Sequence, residues 1–427
     1  MKNIVFCFQM HAPYRLKRYR FFDIGQDHYY YDDMLTEEKV NHLVEQSYMP
    51  LCQTIKEMVQ ISNGKFRCAL SINGMTLEMF QQFAPEMIDI LRELAQTKSV
   101  EFVSTPYAYS FAAIRNENEF EDQLKMENQI LQDLLGVKAT TVWNTELLYS
   151  DDIAAHIYKL GYKAVMTEGA KHILSWKSPN YVYNAPTAPK LKVLLRNGNL
   201  SDELAFHFSD YKWYNYPIDA PKFADEILSL PEEEQVINIW LGAETFGLRQ
   251  PANTGIFEFL KALPYFVFER NMLFATPQDV AKMPASAEVL VPDAITWAGE
   301  SKGLSVYEGN DLQHEAIEKL YQVAERVRMC QDKRLRRDWL QLQDISHFHF
   351  MNHIDQADTN YESAYDAFIN YMNVLSDFLL LVDEQYPTTI ENEELNELLK
   401  TINNQEKEIA QLENELKKAR SKKKKEE

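Results

Sequence analysis

Through its first 170 residues the chain alternates between two kinds of apolar pattern, and that alternation leaves few folds open. Residues 3–10, NIVFCFQM, are a β-branched and aromatic run with no polar face, as a strand buried on both sides requires. Residues 37–61 then place Val40, Leu43, Val44, Leu51, Ile55 and Met58 at helical spacing, before an Asn63-Gly64 stop. KFRCALSI predicts the next strand and residues 75–96 the next helix. VEFVST (100–105), a helix over 117–135, ATTVW (139–143), a helix over 151–160 and KAVMTE (163–168) continue the series. Such an order predicts a parallel sheet or barrel with helices outside. Residues 169–235 are more irregular and aromatic. EQVINIWLG resumes as a strand, followed by a helix over 255–263 and the short strand LFATP.

Beyond residue 300 the pattern changes to helical runs at 311–332, 334–344 and 361–384 with few turn signals, which predicts a helical bundle packed on the barrel. YPTT (386–389) closes this part. Leu395, Leu398, Ile402, Ile409, Leu412 and Leu416 then follow an a/d heptad, with Gln405 at one d position. About three heptads are marginal for a lone helix, so two readings stand: a coiled coil with another copy of the chain through residues 390–418, or a solvated, fraying helix. The chain ends in the basic stretch KKARSKKKKEE, read as a solubilising end or as a contact for an acidic surface. The expected division is a barrel over 1–290, a helical domain over 291–386, and a heptad helix with a basic tail over 387–427.

A formal net charge of −20 argues against a nucleic-acid partner, since no basic field attracts phosphates. A neutral polysaccharide is not repelled. The 23 Tyr and 6 Trp include rings that could stack on sugars, although most such rings fill cores. Cys7, Cys52, Cys68 and Cys330 are widely spaced without a C-x-x-C pair, so neither a zinc site nor a disulfide framework is expected. MKNIVFCFQMHAP lacks the apolar run and cleavage site of a signal peptide, and no apolar stretch approaches the ~20 residues of a membrane span. The expectation is a cytoplasmic protein with reduced thiols and no membrane partner.

In a barrel of this kind functional side chains sit where strands end at their carboxyl side. Those places hold His11, Tyr107 and Tyr109, Trp143 with Glu146, Glu244, and Trp297 with Glu300. Singly they say little. A lone His at a strand end is more often a structural hydrogen-bonder, W-x-x-E has no specificity of its own, and Glu244 could be an ordinary surface carboxylate.

Taken in order they say more. FCFQMHAPYRL, SVEFV…YAYS, VWNTELLYS, LSDELAF, AETFGLRQPANTGIFEFL and TWAGESKGLSVYEGN closely resemble successive signature regions of glycoside hydrolase family 57, in its α-amylase-like branch, over roughly residues 1–330. The resemblance implies a distorted seven-stranded β/α barrel followed by a helical domain. It also implies cleavage or transfer of α-glucans with retention of configuration, without a metal or organic cofactor. Retention needs two carboxyl groups about 5–5.5 Å apart, one attacking the anomeric carbon and one moving the proton. By resemblance Glu146, in W-x-x-E, is the nucleophile, while His11, Tyr107, Trp143, Glu244 and Trp297 bind substrate.

The second carboxyl group is missing. The acid/base Asp of the family's D-x-E-T-F-G stands here as Gly242, which can neither give nor take a proton. Other positions depart too: H-Q-P is His11-Ala12-Pro13, an acidic residue and a His in the second region are Thr105 and Tyr109, and W-A-D is Trp297-Ala298-Gly299. Glu244 and Glu300 are the nearest carboxylates that could substitute. Three readings follow: an impaired retaining enzyme acting on α-glucans or maltooligosaccharides, a catalytically inactive glucan-binding or scaffold protein assembling through its C-terminal heptads, or an interaction protein with a vestigial cleft.

Overall fold

The strand Asn3–Met10 (β1) is fully walled in because it lies at the centre of a parallel sheet. On one edge it pairs with Cys68–Ile72 (β2), which pairs in turn with Val100–Val103 (β3). The computed structural model describes residues 1–352 and 360–385, and residues 398, 401, 402, 404, 405, 409 and 412 beyond them. A second sheet carries Thr141–Trp143 (β4), Ala164–Glu168 (β5) and Ala188–Arg196 (β6), extended by the antiparallel strand Val182–Ala185. Val236–Gly242 (β7) returns to the other edge of β1, with Gln9 opposite Gly242.

The two sheets join into a ring. Ser104 N–H donates to Thr141 O and accepts from Trp143 N–H at its own carbonyl, which stitches β3 to β4. Asn197 N–H donates to Asn238 O, and the Asn238 side chain donates to Leu195 O, which stitches β6 to β7. Seven parallel strands in sequence order therefore surround one interior, as expected, with the distortion located at these two thinly paired seams.

Alternation along each strand divides the side chains between two cores. Val5 and Cys7 of β1, Trp143 of β4, Ala164 and Met166 of β5, Leu194 of β6 and Trp240 of β7 fill the barrel. Ile4, Phe6 and Phe8, with Ile237 and Ile239, face outward beneath the helices. Continued to the carboxyl ends, the inward parity falls on Gln9, Glu168, Arg196 and Gly242, so polar residues meet at one mouth.

Three predicted helices are broken, among them 311–332, which divides into Asp311–Gln322 and Ala324–Met329 at Val323. Pro85 has no N–H to continue the ladder, so 75–96 divides into Gly74–Phe83 and Pro85–Gln96 around Ala84. Residues 44–48 form a π-helical turn between Asp33–Leu43 and Met49–Ile61. In the C-terminal part Asp311–Gln322 and Lys333–Leu342 pack on Ala364–Gln385, tied by Tyr371 O–H donating to Leu342 O and Trp339 Nε1–H donating to Leu320 O. Of the heptad positions, Leu398, Ile402, Gln405, Ile409 and Leu412 are helical and exposed, while Leu395 and Leu416 lie outside the described residues. Among the described residues no helix is long and apolar enough to cross a membrane, and all four cysteines are buried and unpaired.

Candidate active site

The mouth of the barrel opens into a cleft of about 610 Å³ whose walls include Gln9, His11, Tyr109, Glu146, Gly242, Glu244 and Trp297. Glu146 follows β4 on a 3-10 turn, and its backbone is left-handed at φ 53° and ψ 28°. Leu147 (φ 57°) and Tyr109 (φ 50°) share that conformation. Each costs roughly 1–2 kcal/mol for a residue with a Cβ, and strain of this kind concentrates at functional sites.

Three donors hold the Glu146 carboxylate. Tyr109 O–H donates to Oε1 at 2.7 Å, while Trp297 Nε1–H and Tyr307 O–H donate to Oε2 at 2.6 and 2.5 Å. The Trp297 backbone N–H also donates to the Glu146 carbonyl, so the 295–297 segment fixes both ends of the residue. Burial, with the Glu146 charge adding to it, pushes the Tyr109 phenol well up, so it stays a neutral donor.

His11 stacks on Tyr109, ring centroids 4.1 Å apart. The Asn73 amide donates to Tyr107 O, so its oxygen faces His11 Nδ1 at 3.0 Å and requires a proton there. On the far side His11 Nε2 lies 3.3 Å from Asp344 and 3.0 Å from Ser346 Oγ. Burial opposes charge on His11, but Asp344 outweighs it and raises the imidazole pKa. Burial likewise works against the Asp344 carboxylate, and His11 more than offsets it, leaving that pKa below its usual value. His11 and Asp344 thus pair between the first strand and the C-terminal helical part.

Gly242 ends β7 and Glu244 stands in the 3-10 turn behind it. A Cβ placed on Gly242 would lie 2.1 Å from Glu244 Oε1 and 2.5 Å from Oε2 and Cδ. The Glu244 carboxylate has folded back into the space that a side chain at 242 would occupy. Burial in the cleft raises its pKa, with the Glu146 charge adding and Arg249 and His11 opposing. Arg249 Nη2 stands 3.6 Å from Oε1, and 35 % of the Glu244 side chain remains open to the cleft.

The remaining expected residues separate. Trp297 lines the cleft, and Glu300 sits exposed on its rim. Trp143 is fully buried, wedged between Trp240 and Trp297, and presents no face to a ligand; it supports Trp297 from beneath. Tyr107 covers Gly74 outside the cleft, its ring 2.2 Å from where a Cβ there would be. Residues missing from the expectation include Tyr307, Asp344 and Ser346. Arg196 was also missed; it bridges Glu168 at 3.0 Å and Asp202 at 2.5 Å and lies 5.5 Å from the Trp297 ring centre. Tyr307 and Glu168 fall within or at the end of runs singled out in the sequence, whereas Asp344 and Ser346 carry no local signal. Among the described residues no group of three or more His, Cys, Asp or Glu side chains is placed to hold a metal ion.

The glycosyl hydrolase family 57 model matches residues 5–292. The chain belongs to glycosyl hydrolase family 57. It is 31 % identical over 406 residues to a putative alpha-amylase of Methanocaldococcus jannaschii, covering 89 % of this chain and 85 % of that one. Among solved structures, the family 57 branching enzyme of Thermococcus kodakaraensis superposes with a TM-score of 0.68 at 14 % identity, over 93 % of this chain and 94 % of that one. The 4-alpha-glucanotransferase of Thermococcus litoralis gives 0.65 at 15 % identity over 88 % of this chain, which spans 60 % of that enzyme's length. At such identities the two structures speak for the family 57 fold, including its barrel.

Proposed function

We propose that this family 57 protein acts on α-glucans by a retaining mechanism, with Glu146 as the nucleophile. The observation that carries the reading is the Glu146 carboxylate itself. It is held by three donors on a left-handed turn at the mouth of the barrel and faces a cleft wide enough for sugar rings. Holding a nucleophile in one attack geometry removes much of the entropic part of the barrier. Asp202, Gly299, Glu300 and Lys302 line both this cleft and a second cavity of about 960 Å³, which would give room for an oligosaccharide rather than a single ring. The 31 % identical relative named as a putative alpha-amylase, and the branching enzyme and glucanotransferase of like fold, support α-glucan as the substrate class. His11 and Trp297, beside Glu146, are the residues proposed to contact it.

The glycine at 242 favours a second reading, a glucan-binding protein without catalysis. An activated donor separates the two. α-Maltosyl fluoride needs little acid help, so under the first reading the protein consumes it and Glu146→Gln does not. Binding of maltooligosaccharides with no fluoride consumption by the native protein would establish the second.

A further inference from the structure

We propose that Glu244 supplies the proton-transfer group whose usual position is Gly242, and that the glycine is the condition for it. This rests on the reading of Glu146 as nucleophile.

Glu244 Oε1, Oε2 and Cδ lie 2.1, 2.5 and 2.5 Å from an ideal Cβ at position 242, so its carboxylate stands where a side chain there would begin. A carboxylate is thus present at the end of β7, supplied from two residues further along the chain. A Cβ at 242 would overlap that carboxylate, so this conformation of Glu244 requires glycine there.

The surroundings suit an acid. The groups facing Glu244 are Arg249 from the loop that follows it, Glu146 from the turn after β4, and His11 from the end of β1. Burial and the Glu146 charge favour the protonated form, and the open part of the side chain leaves a path for a leaving oxygen or a water. Arg249 opposes this from 3.6 Å, its guanidinium carbon 4.6 Å from the centre of the Phe206 ring, and the net direction of the Glu244 pKa remains upward.

In the first step Glu146 bonds to the anomeric carbon as the glycosidic C–O bond breaks, and the Glu244 carboxyl proton passes to the departing oxygen. In the second, Glu244 takes a proton from water as the water oxygen bonds to that carbon and the bond to Glu146 breaks.

The test compares maltopentaose, whose leaving group needs a proton, with α-maltosyl fluoride, whose leaving group does not. Glu244→Gln is expected to lose about 100-fold or more in kcat/KM on maltopentaose. With the fluoride it accumulates a maltosyl adduct on Glu146, seen by intact mass and released by azide as α-maltosyl azide. Gly242→Ala keeps Glu244 but denies it the position, and is expected to show the same dependence on leaving group, which guards against a folding defect in the first variant. Unchanged maltopentaose cleavage in both variants overturns the assignment. So does an adduct that already accumulates in the native protein, although the nucleophile then stands. If the native protein neither consumes the fluoride nor forms an adduct, the reading of Glu146 fails and this inference with it.

Discussion

The carboxylate of Glu244 fills the space in which a side chain on Gly242 would have to begin. Position 242 is therefore an exchange rather than a gap, and its effect on stability and on activity should come apart. Gly242 has an ordinary backbone (φ −65°, ψ 136°), so alanine fits the chain there and only the far end of one flexible side chain must move. Gly242→Ala should shift stability by less than about 1 kcal/mol. Its maltopentaose activity should nevertheless fall by about two orders of magnitude. Urea unfolding beside steady-state kinetics reads both quantities, and a loss of activity that tracks a loss of fold would contradict the exchange.

Tyr109 and Tyr307 each donate one hydrogen bond to Glu146. Bonds to a charged acceptor contribute about 1.5–3 kcal/mol, so Tyr307→Phe should lower kcat/KM by roughly 10- to 100-fold. Tyr109→Phe should behave alike while keeping the ring stacked on His11. Equal activity in either variant would mean that the donors are structural.

Trp143 and Trp297 should fail in different ways. Trp143 is buried between two other indoles, so Trp143→Ala leaves a cavity and should cost about 3–5 kcal/mol of stability. Trp297 lines the cleft, so Trp297→Ala should weaken maltooligosaccharide binding at modest cost to the fold. Calorimetric titration and thermal unfolding of both variants check the contrast.

The His11–Asp344 pair predicts a pH window. The His11 pKa is raised, so its contribution is complete below about pH 6.5 and is lost as pH rises through the raised value. The Asp344 pKa is depressed, so its contribution is complete above about pH 4 and is lost as pH falls through the lowered value. Glu146 also favours the charge on His11. His347 faces Asp344 from the helical side, and burial lowers its own pKa. Asp344→Asn should therefore cost most near pH 5–6, about 3 kcal/mol, and less near pH 9. The same cost at both values would mean that His11 does not change its charge between them.

The barrel was legible because each strand carries its own signal. NIVFCFQM has no polar face and sits at the sheet centre, and inward parity leads from Val5 and Cys7 to Gln9 at the mouth. Helix ends were less legible: a π-helical turn at 44–48 and a break at Ala84 interrupt patterns whose apolar spacing runs on unbroken. The motifs point to Glu146, His11 and Trp297, and all three line the cleft. W-x-x-E points to Trp143 as a binding residue, whereas strand parity turns it into the barrel. Asp344 meets His11 across more than 300 residues, a contact that only the folded helical part creates. At Gly242 the sequence records an absent carboxyl; the return of Glu244 into that space is a side-chain conformation, which no residue pattern carries.

Glu146 and one proton-transfer group are proposed to carry out a double displacement. The most direct test is proton NMR of the first product as the native protein cleaves maltopentaose, read before mutarotation. The α-anomer is expected to appear first. The β-anomer, formed by direct attack of water, would contradict it.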